Sequence, residues 1–292
     1  MNMDNARILV IGAGVNGSVC AVGLHNAGID VTVLARGKRY EELRNEGIII
    51  ENPLKHKRSV AKVPVIISLE PEDVYDYVLV IIRKNQIADL LPVLARNRSP
   101  NIVFMSNNLS GADDYIGVID KERIMLGFVF GAGKREGDVV YAISGVGGAL
   151  GAIFGGVPFG EIDGAITPRL TRLVGIFCRA GLDAKASSRV SDYLATHAAF
   201  ITLMVILGNK HGGDQEAIAR STSDLGLLVD ALREMLDVLL AFGYRITPSG
   251  FKAIKMIPRF ILVAVFHSLF TSDKWDLIAV DMTMPRAPIE IL

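Results

Sequence analysis

Residues 7–17 read RILVIGAGVNG, five β-forming residues running into Gly12-Ala13-Gly14-Val15-Asn16-Gly17. The spacing is G-x-G-x-x-G, and the residues after it, SVCAVGLHNAG, carry a helical pattern that ends at a second β-rich run, DVTVLA. Strand, glycine turn, helix and strand within about 30 residues are what a βαβ dinucleotide-binding unit requires. Each position has a physical task. Gly12 allows the tight turn, Gly14 lets a pyrophosphate approach the backbone, and Gly17 lets the helix pack on the strand. Val15 and Asn16 open the helix, whose N-terminal N–H groups face the phosphates.

The end of the second strand sets the cofactor. An enzyme for NAD places Asp or Glu there for the ribose 2′-hydroxyl, and one for NADP places arginine near the 2′-phosphate. Here the chain reads Ala35-Arg36-Gly37-Lys38-Arg39, with no carboxylate before Glu41. Arg36, Lys38 and Arg39 therefore point to NADP (NADPH), because cations offer charge-assisted hydrogen bonds to a phosphate monoester. A solvated basic loop is the competing reading of the same residues.

Outward from this unit the first half alternates short β-rich runs with helical connectors: PVIISL, YVLVII, NIVFM and IMLGFVF follow, with segments such as QIADLLPVLARN between them. Such runs fit a parallel sheet covered on both faces, a doubly wound α/β domain of Rossmann type. The glycine-rich passage 131–156 suggests one or two antiparallel strands that close the sheet. Thr167-Pro168 reads as an N-cap followed by proline at the first helical position. Beyond it the pattern is helical over 168–180, 188–208, 214–242 and 249–271. The expected organisation is a cofactor domain over residues 1–165 and an all-helical substrate or dimerisation domain over 166–292.

The composition narrows the partners. The chain has 292 residues, half of them hydrophobic, with 31 basic and 31 acidic side chains, so a nucleic-acid or membrane-surface partner is not expected. Cys20 and Cys178, the two cysteines, read as buried thiols of a reduced, cytoplasmic protein. The longest apolar runs, FITLMVILG and FILVAVF, fall short of about 18 residues, so no membrane span is expected. The apolar helical half suggests a homodimer, and no metal site is indicated.

With ILVIGAGVNG, LARGKR, VLVIIRKNQ and FMSNNLSGADDY in place, the chain resembles the ketopantoate reductase (2-dehydropantoate 2-reductase) family. The resemblance implies an NADPH-dependent oxidoreductase in which a small-molecule substrate is held by the helical domain and reduced beside the sheet's carboxyl edge. It places Arg83 at the lysine of the family's LKAxQ-like segment and Gln86 at its glutamine. Asn107 falls on the asparagine of the family's H-N-G segment, beside nicotinamide and substrate, although Ser106 and Asn108 replace its neighbours. Ordinary turn hydrogen bonds are the alternative role for all three.

The departure lies in SDYLATHAAFI, residues 191–201. The family's catalytic helix carries a lysine followed at four-residue intervals by two asparagines. Alignment on Tyr193-Leu194-Ala195-Thr196-His197 puts Tyr193 at the lysine, His197 at the first asparagine and Ile201 at the second. Residues four apart share a helix face, so Tyr193 and His197 are the candidate catalytic pair and that face is expected to be water-accessible. A satisfied core pair is the alternative. Histidine, with an ordinary pKa near 6.5, would be the better proton reservoir, and tyrosine could relay a proton beside a cation such as Arg83. Lys252, Lys255 and Arg259 form a basic stripe read mainly as a solvated helix face. Glu290 resembles the family's substrate-binding glutamate near the C-terminus, where the family has a further closing helix. The leading expectation is a reductase of a 2-oxo acid or related carbonyl compound. A divergent imine or ketone reductase and a non-catalytic NADP-binding regulatory protein are the alternatives.

Overall fold

The computed structural model describes residues 6–53, 55–128, 131–144 and 156–271. The chain divides into two compact units. The first comprises residues 1–106, 110–146 and 156–190, and the second residues 107–109, 147–155 and 191–292.

The first unit is built on an eight-stranded sheet. Its strands are β1 (Arg7–Ile11), β2 (Asp30–Leu34), β5 (Val65–Ile66), β6 (Tyr77–Val80), β7 (Ile102–Phe104), β8 (Ile124–Gly127), β11 (Val157–Glu161) and β12 (Ala184–Ala186). They lie in the order β12-β11-β8-β7-β6-β1-β2-β5. All neighbours from β5 to β8 are parallel, and β11 pairs antiparallel with β8. The strand cores RILVI and YVLV are buried, as continuous apolar runs must be when helices cover both faces of a parallel sheet. The order reverses between β1 and β6, which is where doubly wound sheets open a ligand crevice at their carboxyl edge. The expected Rossmann-type α/β domain followed by a helical region is thus the observed fold.

A second sheet departs from expectation. β3 (Ile48–Asn52), β4 (Lys57–Ala61), β9 (Gly131–Glu136) and β10 (Val139–Ser144) form it in the order β4-β3-β10-β9. The β9–β10 hairpin therefore does not close the large sheet. It pairs through β10, in parallel, with β3, more than 80 residues earlier, while on the large sheet β11 runs antiparallel to β8 and β12 runs parallel to β11. Between the two sheets lies α1 (Val15–Asn26), VNGSVCAVGLHN, whose Val19, Cys20, Ala21, Val22 and Leu24 are all buried. Apolar residues on every face suit a helix with no solvent side, and burial pushes the Cys20 thiol up to about 12. Cys178 is exposed rather than buried, with its Sγ directed at the Ala184 carbonyl oxygen, 3.4 Å away.

The first unit also keeps α5 (Pro168–Arg179). The sequence places the change of pattern near residue 165, yet β11, α5 and β12 still belong to the sheet-containing unit, which runs to Val190. Thr167 is the N-cap, its side chain accepting from Leu170 N at 3.2 Å, with proline at the first helical position. Shorter helices α2 (Gly37–Glu46), α3 (Leu91–Arg96) and α4 (Asp113–Ile116) follow β2, β6 and β7.

The second unit contains α6 (Val190–Lys210, whose first residue counts with the first unit), α7 (Gln215–Arg220), α8 (Thr222–Ala241), α9 (Gly250–Ala253) and α10 (Arg259–Phe270). The expected 214–242 helix is two helices broken at Ser221, and 249–271 is broken at Pro258, which cannot continue a helix. Lys252, Lys255 and Arg259 consequently do not share one helix face. Lys255 pairs with Asp237, and Arg259 with Asp230 at 2.9 Å. α6 has the 21 residues expected of the 188–208 helix, shifted two residues along the chain. By length and composition it could cross a membrane, with mean hydropathy 1.6, but 78% of that window is buried inside the protein, the pattern of a core helix.

Candidate functional site

The glycine loop between β1 and α1 shows which glycines the protein itself requires. Gly12 has φ +106°, and a Cβ there would collide with the Ile81 carbonyl oxygen; a Cβ on Gly17 would collide with the Gly12 carbonyl. Both are glycine because strand, turn and helix touch. Gly14 is different: a Cβ would meet nothing within 4 Å. Its glycine is unexplained by packing and suits a ligand that must come close to the backbone. Gly14 caps α1 without a side-chain hydrogen bond, and no acidic residue occupies the first turn, so the helix start keeps its N–H groups and positive end for an anion. Val15 and Asn16 form that start. Asn16 Oδ1 is buried with no hydrogen-bond partner among the described residues, an acceptor that a bound donor would satisfy.

The three cations after β2 separate into three roles. Arg39 is turned inward: its guanidinium donates to Ala13 O at 3.1 Å, Asp138 O at 3.2 Å, Ser18 Oγ at 3.3 Å and Glu42 Oε2 at 3.1 Å. It clamps the glycine loop to α1, α2 and the β9–β10 turn. Lys38 is 87% exposed and lies 3.7 Å from Glu42. Arg36 is exposed, has no ion pair among the described residues, and lines a cavity of about 440 Å³ beside Leu34 and Ile67.

After β6, backbone bonds from Gln86 N to Arg83 O at 2.9 Å and from Ile87 N to Lys84 O at 3.1 Å make a tight turn. Arg83 and Gln86 are exposed on it. Lys84, to which sequence reading assigned no role, fixes this turn. Its ammonium donates to Asp114 Oδ2 at 2.5 Å, Ser110 Oγ at 3.1 Å and Tyr115 Oη at 3.3 Å. The Lys84 ammonium, with Ser110, holds the Asp114 carboxyl below its usual range. The cation beside Arg83 was visible in sequence, but its acidic partner lies 30 residues away and has no local signal.

Asn107 follows β7, but residues 107–109 cluster with the second unit, where Tyr244 Oη donates to Leu109 O at 3.5 Å. Asn107 Oδ1 is buried and has no hydrogen-bond partner among the described residues. Tyr193, His197 and Ile201 stand on one face of α6, as the four-residue spacing dictates. Their exposure is 4%, 5% and 7%, so this face is not water-accessible as expected. The Tyr193 and His197 rings are nearly parallel, 6° apart in plane with centroids at 6.1 Å. Burial raises the Tyr193 phenol and lowers the His197 imidazole to about 4. At neutral pH both are therefore uncharged, and His197 is no reservoir of protons. Thr196 anchors the helix between them, its Oγ1 donating to Asp192 O at 2.9 Å and accepting from Thr247 N at 3.3 Å. Glu290 lies outside the described residues.

The open approach at Gly14, the uncapped start of α1, the buried Asn16 acceptor and Arg36 together fit a phosphate-bearing dinucleotide. Comparison with known proteins points the same way. The family model described as ketopantoate reductase PanE/ApbA matches residues 8–153. No curated protein matches the chain. Among solved structures, the fold is shared with D-mandelate dehydrogenase in a ternary structure with NADH and anilino(oxo)acetate, at 18% identity, TM-score 0.74, covering 93% of this chain and 82% of that one. It is also shared with 2-dehydropantoate 2-reductase from Porphyromonas gingivalis W83, at 14% identity, TM-score 0.66 and coverage of 96% and 98%. The same enzyme from Methylococcus capsulatus matches at 19% identity, TM-score 0.63 and coverage of 95% and 94%.

Proposed function

We propose, from the premise that the chain belongs to the ketopantoate reductase PanE/ApbA family, that it is an NADPH-dependent reductase of a 2-oxo acid or related carbonyl compound, with 2-dehydropantoate as the first substrate to test. The observation that carries the reading is Gly14. No protein atom explains a glycine there, whereas a pyrophosphate lying on the backbone does.

When bound, the nicotinamide supplies the hydride. The chain's own residues do the rest. The α1 N-terminus and the Gly12–Gly17 loop hold the diphosphate through their N–H groups, and the buried Asn16 Oδ1 accepts from a neighbouring donor of the cofactor such as a ribose hydroxyl. Arg36 takes the 2′-phosphate. Lys38 adds long-range positive charge at the same strand end, and Arg39 keeps the loop in shape. Arg83 and Gln86, on the turn fixed by Lys84, are the cofactor-facing groups after β6. Asn107 offers its buried Oδ1 to a donor such as a carboxamide or a substrate hydroxyl. For the proton, Tyr193 is the better of the pair: a protonated phenol is a stronger acid than the N–H of a neutral imidazole, and His197 is neutral at pH 7. Because burial raises the Tyr193 phenol further, the donor is weak and ketopantoate turnover is slow. Glu290 is retained as a substrate ligand in this reading. A cytoplasmic enzyme and a homodimer complete it, the latter supported by exposed apolar side chains of the helical unit at Phe242, Met256 and Phe260.

The neutral Tyr193–His197 pair favours one second reading, a reductase of an imine or another ketone whose chemistry does not use the family lysine. The deciding experiment follows NADPH consumption with ketopantoate beside a panel of ketones, 2-oxo acids and imines. Turnover of ketopantoate or another 2-oxo acid supports the first reading, and turnover confined to imines or simple ketones supports the second. Binding of NADPH with no turnover across the panel would leave a cofactor-binding protein without this activity.

A further inference from the structure

The cavity at the end of β2 lies wholly in the first unit. Arg36 enters it from the strand end, Glu70 and Ile67 from the segment after β5, and Val93 and Arg96 from α3. Its volume of about 440 Å³ is in the range of small-ligand sites, about 300–1,000 Å³. Its walls and its rim differ. Leu34, Ile67, Leu90 and Val93 make its lining partly apolar, and Ile67 is 59% exposed, a large β-branched side chain left uncovered where a flat apolar group could lie against it. The rim carries Arg36, Arg96 and Glu70. Both arginines are exposed, and neither has an ion pair or hydrogen bond among the described residues. This contrasts with their neighbours: Arg39, Arg98 and Arg123 are each engaged by a carboxylate or by backbone carbonyls.

We infer that Arg96, with Arg36, forms a two-arginine clamp for the 2′-phosphate of the cofactor's adenosine, whose adenine lies between Ile67 and the Leu90–Val93 side of the cavity. The inference rests on the NADPH reading and adds to it a specificity-determining residue on a different element. The charge arithmetic supports two cations rather than one. A phosphate monoester carries about −1.5 to −2 at pH 7, and Glu70 adds a negative charge to the same rim. Arg36 alone would be offset by Glu70, leaving the phosphate without a net counter-charge; with Arg96 the rim is net positive before the ligand arrives. Arginine on both sides also suits the chemistry, because a guanidinium presents paired donors to phosphate oxygens and stacks on a flat base, which lysine does not. Position 96 is fixed by local structure: α3 has Pro92 in its first turn and ends at Arg96, where Asn97 leaves helical geometry. The last helical residue of α3 thus lines the cavity that Arg36 also lines.

Calorimetric titration of the full chain with adenosine 2′,5′-bisphosphate and with 5′-ADP separates the clamp from the rest of the site, because only the first carries a 2′-phosphate. The wild type should prefer the 2′-phosphorylated probe by at least ten-fold. Arg96→Ala should remove ten-fold or more of that preference while leaving 5′-ADP affinity within two-fold, Arg96→Lys should restore part of it, and Glu70→Gln should strengthen it. Unchanged melting temperatures would show that the exposed substitutions leave the fold intact. A full preference retained by Arg96→Ala but lost in Arg36→Ala would overturn the clamp and leave the NADPH reading standing. No wild-type preference, with NADH bound as tightly as NADPH and weakened by Glu70→Gln, would overturn both and make the rim a ribose-hydroxyl site.

Discussion

Lowering the pH should destabilise this protein through His197. The imidazole is buried, and burial lowers it to about 4, against about 6.5 in an unfolded chain. The sign follows from proton counting. Between pH 6.5 and 4 the unfolded state takes up a proton that the native state refuses, so stability falls as the pH falls through that window and is fully present above it. A difference of 2.5 pKa units, at about 1.4 kcal/mol per unit, gives a loss of about 3 kcal/mol by pH 4. That is a large share of the roughly 5–15 kcal/mol that holds a domain together. Urea unfolding followed by circular dichroism from pH 4 to 7.5, on the wild type and on His197→Gln, isolates this contribution, since groups common to both cancel in the difference. Asp224, lowered to about 2 by Lys210, His211 and Ser221, loses its native advantage only between about pH 3.8 and 2, below this window. The variant should gain on the wild type by about 3 kcal/mol between neutrality and pH 4. A flat difference, or an NMR titration of the His197 ring in the folded protein with a midpoint near 6.5, would refute the reasoning and return the imidazole to water.

Three further outcomes follow from the site. Gly14→Ala should leave the melting temperature within about 2 °C, because the new methyl meets no protein atom, while NADPH affinity measured by fluorescence falls at least ten-fold; unchanged affinity would show that nothing approaches that backbone. Arg39→Ala should cost about 2–4 kcal/mol in urea unfolding, since it strips charged hydrogen bonds from the Ala13 and Asp138 carbonyls and from Ser18, and a loss below 1 kcal/mol would mean those bonds are not formed in solution. Tyr193→Lys with His197→Asn should raise ketopantoate turnover, measured by NADPH absorbance, by about 10²-fold or more, the usual contribution of a positioned general acid; no gain would show that the acid is not what limits the reaction.

The βαβ unit could be read from sequence because its determinants are local: a strand, three glycines at fixed spacing and a helix are contiguous. The second sheet could not. IIIEN and KRSVA are short and lie half at the surface; they pair with each other, and IIIEN joins β10 of the 131–144 hairpin through contacts that no periodicity encodes. The same reason divides the three cations after β2. They are neighbours in sequence, yet only the fold brings Asp138 and Ser18 to Arg39 and leaves Arg36 facing a cavity. Arg96 and Lys84 carried no signal because their meaning comes from partners or walls contributed by other elements. On α6 the spacing correctly put Tyr193 and His197 on one face. Burial of that face is a tertiary property, and it reverses the protonation expected of the histidine.

The Arg39 clamp also sets an order of events during synthesis. The five parallel strands from β5 to β7, together with the glycine loop and Arg39 itself, have all left the ribosome once residue 104 emerges. Asp138, which receives one of the guanidinium's bonds, and β10, the partner of β3, come later. A nascent chain can therefore assemble the central sheet while its nucleotide loop is still unbolted, and the hairpin at 131–144 acts as the final fastener. Cofactor affinity should accordingly appear late in translation and in one step, rather than growing with the sheet.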